Sequence, residues 1–258
     1  MRLLWPALLL GSASAASSSS SDVSWCSNSS ASAVLTNCGS VCTTGDPCVQ
    51  YSSSSSCSEL SRNDCVKHSS SCTYQCLDAY NSVSKKVTVF VKEPASSDAW
   101  TASASGSSAA AFPSAAIDTV SGVQYAEATR NIQITGFDDT SVQKGSLKEV
   151  SFDANSFSTA TVLEDLILTN LDLSAMPTGF LPTTISLLNL NKNTLTSVTD
   201  SDDAVTTTLQ SLTSLNLSDN SIAAFDVVLP TITTLDLSDN KLDAFPSVIF
   251  NMSNLNIL

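Results

Sequence analysis

Leu212-Thr-Ser-Leu215-Asn-Leu217-Ser-Asp-Asn220-Ser-Ile222 and Ile232-Thr-Thr-Leu235-Asp-Leu237-Ser-Asp-Asn240-Lys-Leu242 share one template. It runs apolar, two variable residues, apolar, one variable, apolar, two variable, Asn, one variable, apolar. Ile185-Ser-Leu-Leu188-Asn-Leu190-Asn-Lys-Asn193-Thr-Leu195 and Leu147-Lys-Glu-Val150-Ser-Phe152-Asp-Ala-Asn155-Ser-Phe157 fit it too. Leu163-Glu-Asp-Leu166-Ile-Leu168-Thr-Asn170-Leu171-Asp-Leu173 departs, with its Asn one place early, and a further copy begins at Leu255-Asn-Ile-Leu258. First positions 147, 163, 185, 212, 232 and 255 are separated by 16, 22, 27, 20 and 23 residues, scattered around the 20–29 residues of one class of structural repeat. Each short strand at positions three to five is expected to join one parallel sheet over a shared apolar interior. The Asn is expected to satisfy backbone groups where the chain turns away. Leu171 cannot do this, and Asn170 only through a shifted turn.

The remaining sequence sets the limits of this array. Thr129 to Ile134 reads as a degenerate first strand that caps it, so the repeats are assigned to residues 121–258. Thr199-Asp200-Ser201-Asp202-Asp203 lengthens the 27-residue interval and is expected to loop out as a solvated insertion; it lacks the Gly turn and spaced ligands of a calcium loop. Leu255, Ile257 and Leu258 supply no polar cap, which a stacked array needs at its end, so the repeats are expected to be incomplete at the C-terminal side.

Toward the start, Met1-Arg2, the apolar run from Leu3 to Leu10 and the small residues to Ala16 read as a secretory signal peptide over residues 1–16. The run is far shorter than the ~20 apolar residues needed to cross a bilayer. The chain is therefore expected to be secreted or to face outward at the plasma membrane. In that oxidising setting Cys26, Cys38, Cys42, Cys48, Cys57, Cys65, Cys72 and Cys76 read as four disulfides in a segment at 17–80, with connectivity open among 105 arrangements. Cys38-x3-Cys42, Cys72-x3-Cys76 and nearby His68 offer metal-like spacing, but His68 reads better as a surface residue and no metal or cofactor is expected. Lys86-Val-Thr-Val-Phe-Val91 alternates at period two and reads as a strand within 81–93, followed by an Ala/Ser/Pro-rich spacer at 94–120.

Charge excludes one class of partner. The chain of 258 residues carries 11 Lys+Arg and 24 Asp+Glu, net -13, so it lacks the basic stripe that engages nucleic-acid phosphates. The acidity is uneven: residues 1–120 hold six bases and eight acids, residues 121–258 five and sixteen. A basic partner is the electrostatic expectation. Enzyme signatures are missing, with one His and no G-x-S-x-G, Walker or H-E-x-x-H run, so catalysis is not expected.

Positions three, five and seven of the copies define a candidate binding face: Glu149, Ser151 and Asp153; Asp165 and Thr169; Asn189 and Asn191; Ser214, Asn216 and Ser218; Thr234, Asp236 and Ser238. It is polar, acidic and amide-rich without aromatic residues, which suits a protein, peptide or glycan met by hydrogen bonds. Sequons stand at Asn28, Asn216 and Asn251. A glycan at Asn216 would cover part of this face, so either that sequon is unused or binding lies elsewhere.

The copies resemble leucine-rich repeats, and the unit continuing through Phe245-Pro246, Ile249 and Met252 looks like the 23-residue variant. The resemblance implies an α/β solenoid, a horseshoe with a parallel sheet, preceded by a small disulfide-rich segment. The wider layout is similar to the extracellular regions of oomycete receptor-like serine/threonine kinases of the tyrosine-kinase-like group. That likeness implies ligand sensing, the chain itself having no membrane helix and no V-A-I-K, H-R-D or D-F-G run. A secreted hydrolase inhibitor and a structural or adhesion protein are the alternatives.

Overall fold

A computed structural model describes residues 33–37, 42, 46–51, 65–69, 72–91, 113, 116–136, 148–200 and 203–258. The signal peptide, Cys26, Asn28, Cys38, Cys57 and most of the spacer lie outside them. Alternation at period two, Val-x-Val and Ile-x-Ile, forms the two longest strands, β6 (Lys86–Val91) and β8 (Asn131–Gly136), each with every second residue buried.

These strands pair in parallel, and β8 pairs in parallel with β10 (Asp165–Thr169). The repeat copies extend the sheet through β11 (Leu187–Asn189), β13 (Ser214–Asn216) and β15 (Thr234–Asp236), while β5 (Tyr80–Asn81) closes the opposite edge antiparallel to β6. The sheet thus has seven strands, ordered β15-β13-β11-β10-β8-β6-β5. Lys86, Asn131, Asp165, Leu187, Ser214, Thr234 and Ile257 are register partners in turn, so successive passes take 45, 34, 22, 27, 20 and 23 residues. One residue along each strand, Val87, Ile132, Leu166, Leu188, Leu215 and Leu235 form a buried row, each side chain contributing about 1.5–3 kcal/mol by burial.

The two wide early passes accommodate a second sheet. β1 (Ala33–Thr36), β7 (Thr119–Val120) and β9 (Ser151–Phe152) are parallel neighbours, and β2 (Cys48–Tyr51), β4 (Cys72–Cys76) and β3 (Cys65–Ser69) continue antiparallel from β1. β12 (Ser197–Thr199) and β14 (Ala224–Asp226) form a third, two-stranded sheet. One hydrophobic core runs from Ala33 to Met252. Within it Phe152 stacks on Phe157 and Phe180 at ring-centroid distances of 5.8 and 4.6 Å, and Tyr125 on Phe157 at 6.2 Å. The Tyr125 hydroxyl is buried without a hydrogen-bond partner among the described residues, and burial pushes its pKa up.

This architecture corrects the α/β solenoid and horseshoe. The described protein is mostly β, with three sheets, one α-helix of five residues, α1 (Ala204–Thr208), and one 3-10 helix at Ser247–Asn251. The physical reason lies in the return segments. Thr194-Leu-Thr-Ser-Val-Thr199 is rich in β-branched residues, and Ser221-Ile-Ala-Ala-Phe-Asp226 is bounded by hydroxyl and carboxylate side chains that compete for the backbone; the two extend and pair instead of coiling.

Two local readings are corrected as well. The copy at Leu147–Phe157 gives no strand to the seven-stranded sheet; β9 pairs with β7, because this segment lies inside the 34-residue pass between β8 and β10. Thr129 to Ile134 is no terminal cap either, since β6 lies beyond β8 in the sheet. The acidic insertion is more than a solvated loop. The Asp200 carboxylate accepts backbone N–H bonds from Val205 and Thr206, both at 3.0 Å, and a bond from the Thr206 hydroxyl, and Val205 is buried. These bonds hold Asp200 below its usual pKa against the opposing effect of desolvation.

Candidate functional site

The outward face of the seven-stranded sheet is built from residues alternating with the buried row. Its first row is Lys86, Asn131, Asp165, Leu187, Ser214 and Thr234; its second is Thr88, Gln133, Ile167, Asn189, Asn216 and Asp236. Phe90, Thr135 and Thr169 make a short third row at the wide end. Each of these side chains is part-buried, as expected for a face flanked by neighbouring strands about 4.8 Å apart.

Asp165, Thr169, Asn189, Ser214, Asn216, Thr234 and Asp236 therefore lie together as the repeat template implies, with Asn191, Ser218 and Ser238 in the turns leaving the strands. Glu149, Ser151 and Asp153 do not. They sit on or beside β9 in the other sheet, where their polar groups hold neighbouring segments. The Glu149 carboxylate accepts from the Ser174 hydroxyl at 2.9 Å, Ser151 Oγ lies 3.0 Å from Thr119 Oγ1, and Asp153 accepts from the Ser121 hydroxyl and, at 2.8 Å, the Asn155 N–H. Lys86, Thr88, Phe90, Asn131, Gln133 and Thr135 are face residues outside the template. Their signal was present in the Val-x-Val and Ile-x-Ile alternation, which defines strands without naming their parallel partners.

Much of the face's polarity serves the fold. Asn189 Oδ1 accepts the Asn191 N–H at 2.9 Å; Asn216 Oδ1 accepts the Ser218 N–H at 2.9 Å and its hydroxyl at 2.7 Å; Asp236 Oδ1 does the same for Ser238 at 3.0 and 2.6 Å. These side-chain turns start each exit from the sheet, followed by left-handed Lys192, Asp219 and Asp239 at φ +57°, +52° and +53°. The other end of each amide is different. Neither Asn189 Nδ2 nor Asn216 Nδ2 donates to any described protein group. Gln133 Oε1 accepts from Lys86 Nζ at 2.7 Å, and its Nε2 likewise has no protein acceptor among the described residues.

No family model and no curated protein matches this chain.

Charges gather where the wide passes enter the sheet. Arg130 pairs with Glu164, both side chains half exposed. Burial, together with the Glu164 carboxylate, holds Asp165 above the usual carboxylate range, against the pull of the Lys86 ammonium. Among the described residues no cluster of three or more His, Cys, Asp or Glu could hold a metal, and no helix is long and apolar enough to cross a membrane. Cys42 and Cys76 form a disulfide and Cys48 is also disulfide-bonded. Asn251 is exposed at the end of the 3-10 helix, while the part-buried Asn216 shares its oxygen with the hydroxyl of its own sequon's Ser218.

Proposed function

We propose that the chain recognises an extracellular peptide or glycan on the outward face of the seven-stranded sheet, as the sensing part of a receptor and without catalysis of its own. The observation that carries this reading is the second register row. Gln133, Asn189 and Asn216 spend their oxygens on protein groups, and their NH2 groups have no protein acceptor among the described residues. Such groups, held in place by bonds at their other end, lose little freedom on binding and match a ligand rich in carbonyl or hydroxyl oxygens. Charge is secondary, since Lys86 and Asp165 oppose one another at one end and Asp236 stands at the other.

The leader-like residues 1–16, the clustered cysteines and the sequons support a secretory route. The resemblance of the copies to leucine-rich repeats, and of the layout to oomycete receptor-like kinase ectodomains, supports sensing as the role.

The test uses the full chain, secreted with its disulfides, against immobilised libraries of peptides and of oligosaccharides. Gln133→Glu, Asn189→Asp and Asn216→Asp together remove the three NH2 donors but keep the oxygens that start the turns at 189 and 216 and accept from Lys86 at 133. A bound library member should lose at least about tenfold in affinity with the melting temperature of the protein preserved. Equal binding by the triple variant, or no binding of any member by the parent, overturns the proposal.

A further inference from the structure

At the β5 margin of this face lies a cleft of about 440 Å³ lined by Asp78, Tyr80, Asn81, Ser84, Lys86 and Thr88, with Ala79 and Phe90 completing its wall. That volume falls within the roughly 300–1,000 Å³ of small-ligand sites. The lip is rigid by construction. Asn81 Oδ1 accepts the Val83 and Ser84 N–H groups, both at 3.0 Å, Lys85 takes a left-handed φ of +55°, and Thr88 N–H bonds the Ala79 carbonyl at 3.0 Å. The floor is β6, whose Lys86 and Thr88 are the first members of the two face rows, so the cleft opens onto the amide row through Gln133.

Its chemistry is mixed in a particular way. The Lys86 ammonium is opposed by the Asp78 carboxylate in the same cleft and by Asp165 two strands away, and Asp46 stands close enough to Asp78 for the two carboxylates to repel, so the cleft disfavours an anion. Hydroxyl groups from Ser84, Thr88 and Tyr80 both donate and accept, Asp78 accepts, Lys86 donates, and the Tyr80 ring offers an apolar surface. A ligand that satisfies all of these has many groups that donate and accept at once, no negative charge, and a C–H face to lie against a ring.

We infer that this cleft is the end subsite for a neutral saccharide, with the chain of the glycan continuing across the sheet over Gln133, Asn189 and Asn216. The inference rests on the ligand-recognition reading above and names the glycan as its ligand class.

Calorimetry with the full secreted chain tests it, using soluble oligosaccharides of β-1,3-glucan, cellulose, chitin and mannan as probes, with oligolysine and oligoglutamate peptides as charged controls. The expected result is saturable binding of at least one neutral oligosaccharide, weakened about tenfold or more by Asp78→Ala and by Tyr80→Ala. Asp78 is exposed, so its replacement leaves the core untouched should the Tyr80 variant fold poorly. Saccharide binding that ignores both substitutions refutes the subsite. Binding of a peptide alone, lost in the triple amide variant, refutes the subsite and leaves recognition by the face standing. If nothing is bound by the parent chain, both fall.

Discussion

Replacing Asn193 with Ala should cost the protein about 4 kcal/mol. Asn193 is 0% exposed and its side chain serves two passes at once. Nδ2 donates to the carbonyls of Leu168 at 2.8 Å and Leu190 at 2.9 Å, and Oδ1 accepts the N–H groups of Leu171 at 3.0 Å and Leu173 at 3.2 Å. Alanine cannot replace these bonds, and the side chain it removes is fully buried. A carbonyl can tolerate losing one of two partners, but a buried N–H left without any partner costs about 1–3 kcal/mol. Counting only the two N–H groups, at the middle of that range, gives about 4 kcal/mol, a large share of the roughly 5–15 kcal/mol that holds a domain folded. At a urea slope of about 2 kcal/mol per molar, the unfolding midpoint should fall by about 2 M. Asn155 occupies the same template slot and is the control. It is exposed, its place being taken by buried Ser156, whose hydroxyl lies 2.8 Å from both the Val120 and the Asp153 carbonyl and donates between them. Asn155→Ala should therefore change stability by no more than about 0.5 kcal/mol. Equal losses at the two positions, or a loss under about 1 kcal/mol at Asn193, would refute the reasoning.

Three further outcomes follow from the packing and the titrating groups. Gly136→Ala places a methyl 1.8 Å from the Asn170 carbonyl oxygen, a backbone atom, and should destabilise by about 2 kcal/mol or more in the same urea assay. Tyr125→Phe removes a hydroxyl that is buried without a partner among the described residues and should stabilise by about 1 kcal/mol, read as a higher melting temperature. The two shifted acids should respond oppositely to pH. Asp165, raised in the fold, binds protons more readily folded than unfolded, so its contribution falls as pH rises through its folded pKa; Asp165→Asn should match or exceed the parent's melting temperature at pH 7 and lose any advantage below the ordinary carboxylate pKa. Asp200, depressed in the fold, contributes above the ordinary carboxylate pKa and loses its contribution as pH falls through its folded value; Asp200→Ala should lower the melting temperature at pH 7 and cost nothing once the carboxyl is protonated.

The repeat template reached as far as its physical basis. Leu and Asn at fixed slots specify a buried row and a bonded amide; Leu188, Leu215 and Leu235 provide the row, and Asn193, Asn220 and the part-buried Asn240 the amide. Where the slot was filled by chance, as at Asn155, letters alone could not distinguish a return segment from a sheet strand, because both alternate apolar and polar residues. The register partners separate them: the copy at Leu147–Phe157 lies inside the 34-residue pass from Asn131 to Asp165 and pairs β9 with β7, whereas Ser214 and Thr234, 20 residues apart, are themselves partners in the seven-stranded sheet. The positions the template treats as variable were under-read. Thr213 and Thr233 each donate a hydroxyl to a carbonyl of the preceding pass, at 3.0 and 2.9 Å, so the second position repeats for a structural reason. The helical expectation failed for a converse cause, since period and spacing constrain where the chain returns and say little about whether it coils on the way.

The same distinction decides how the face should be read. A polar, amide-rich surface on a sheet reads as a binding surface, yet Asn216 and Asp236 occupy equivalent positions and do the same work for the fold, each holding the backbone and hydroxyl of a serine two residues on. Their polarity is therefore no evidence of a ligand by itself. What separates them is the atom left over. Asp236 offers a second carboxylate oxygen and Asn216 an NH2 group, so an exchange of Asn and Asp at this position preserves the turn and inverts the hydrogen-bonding sense of the surface. A purely structural role predicts indifference to that exchange, and a ligand-facing role predicts sensitivity to it. For the same reason a glycan at Asn216 and a ligand on the amide row exclude one another: the sugar would be attached to the one nitrogen the turn leaves unused.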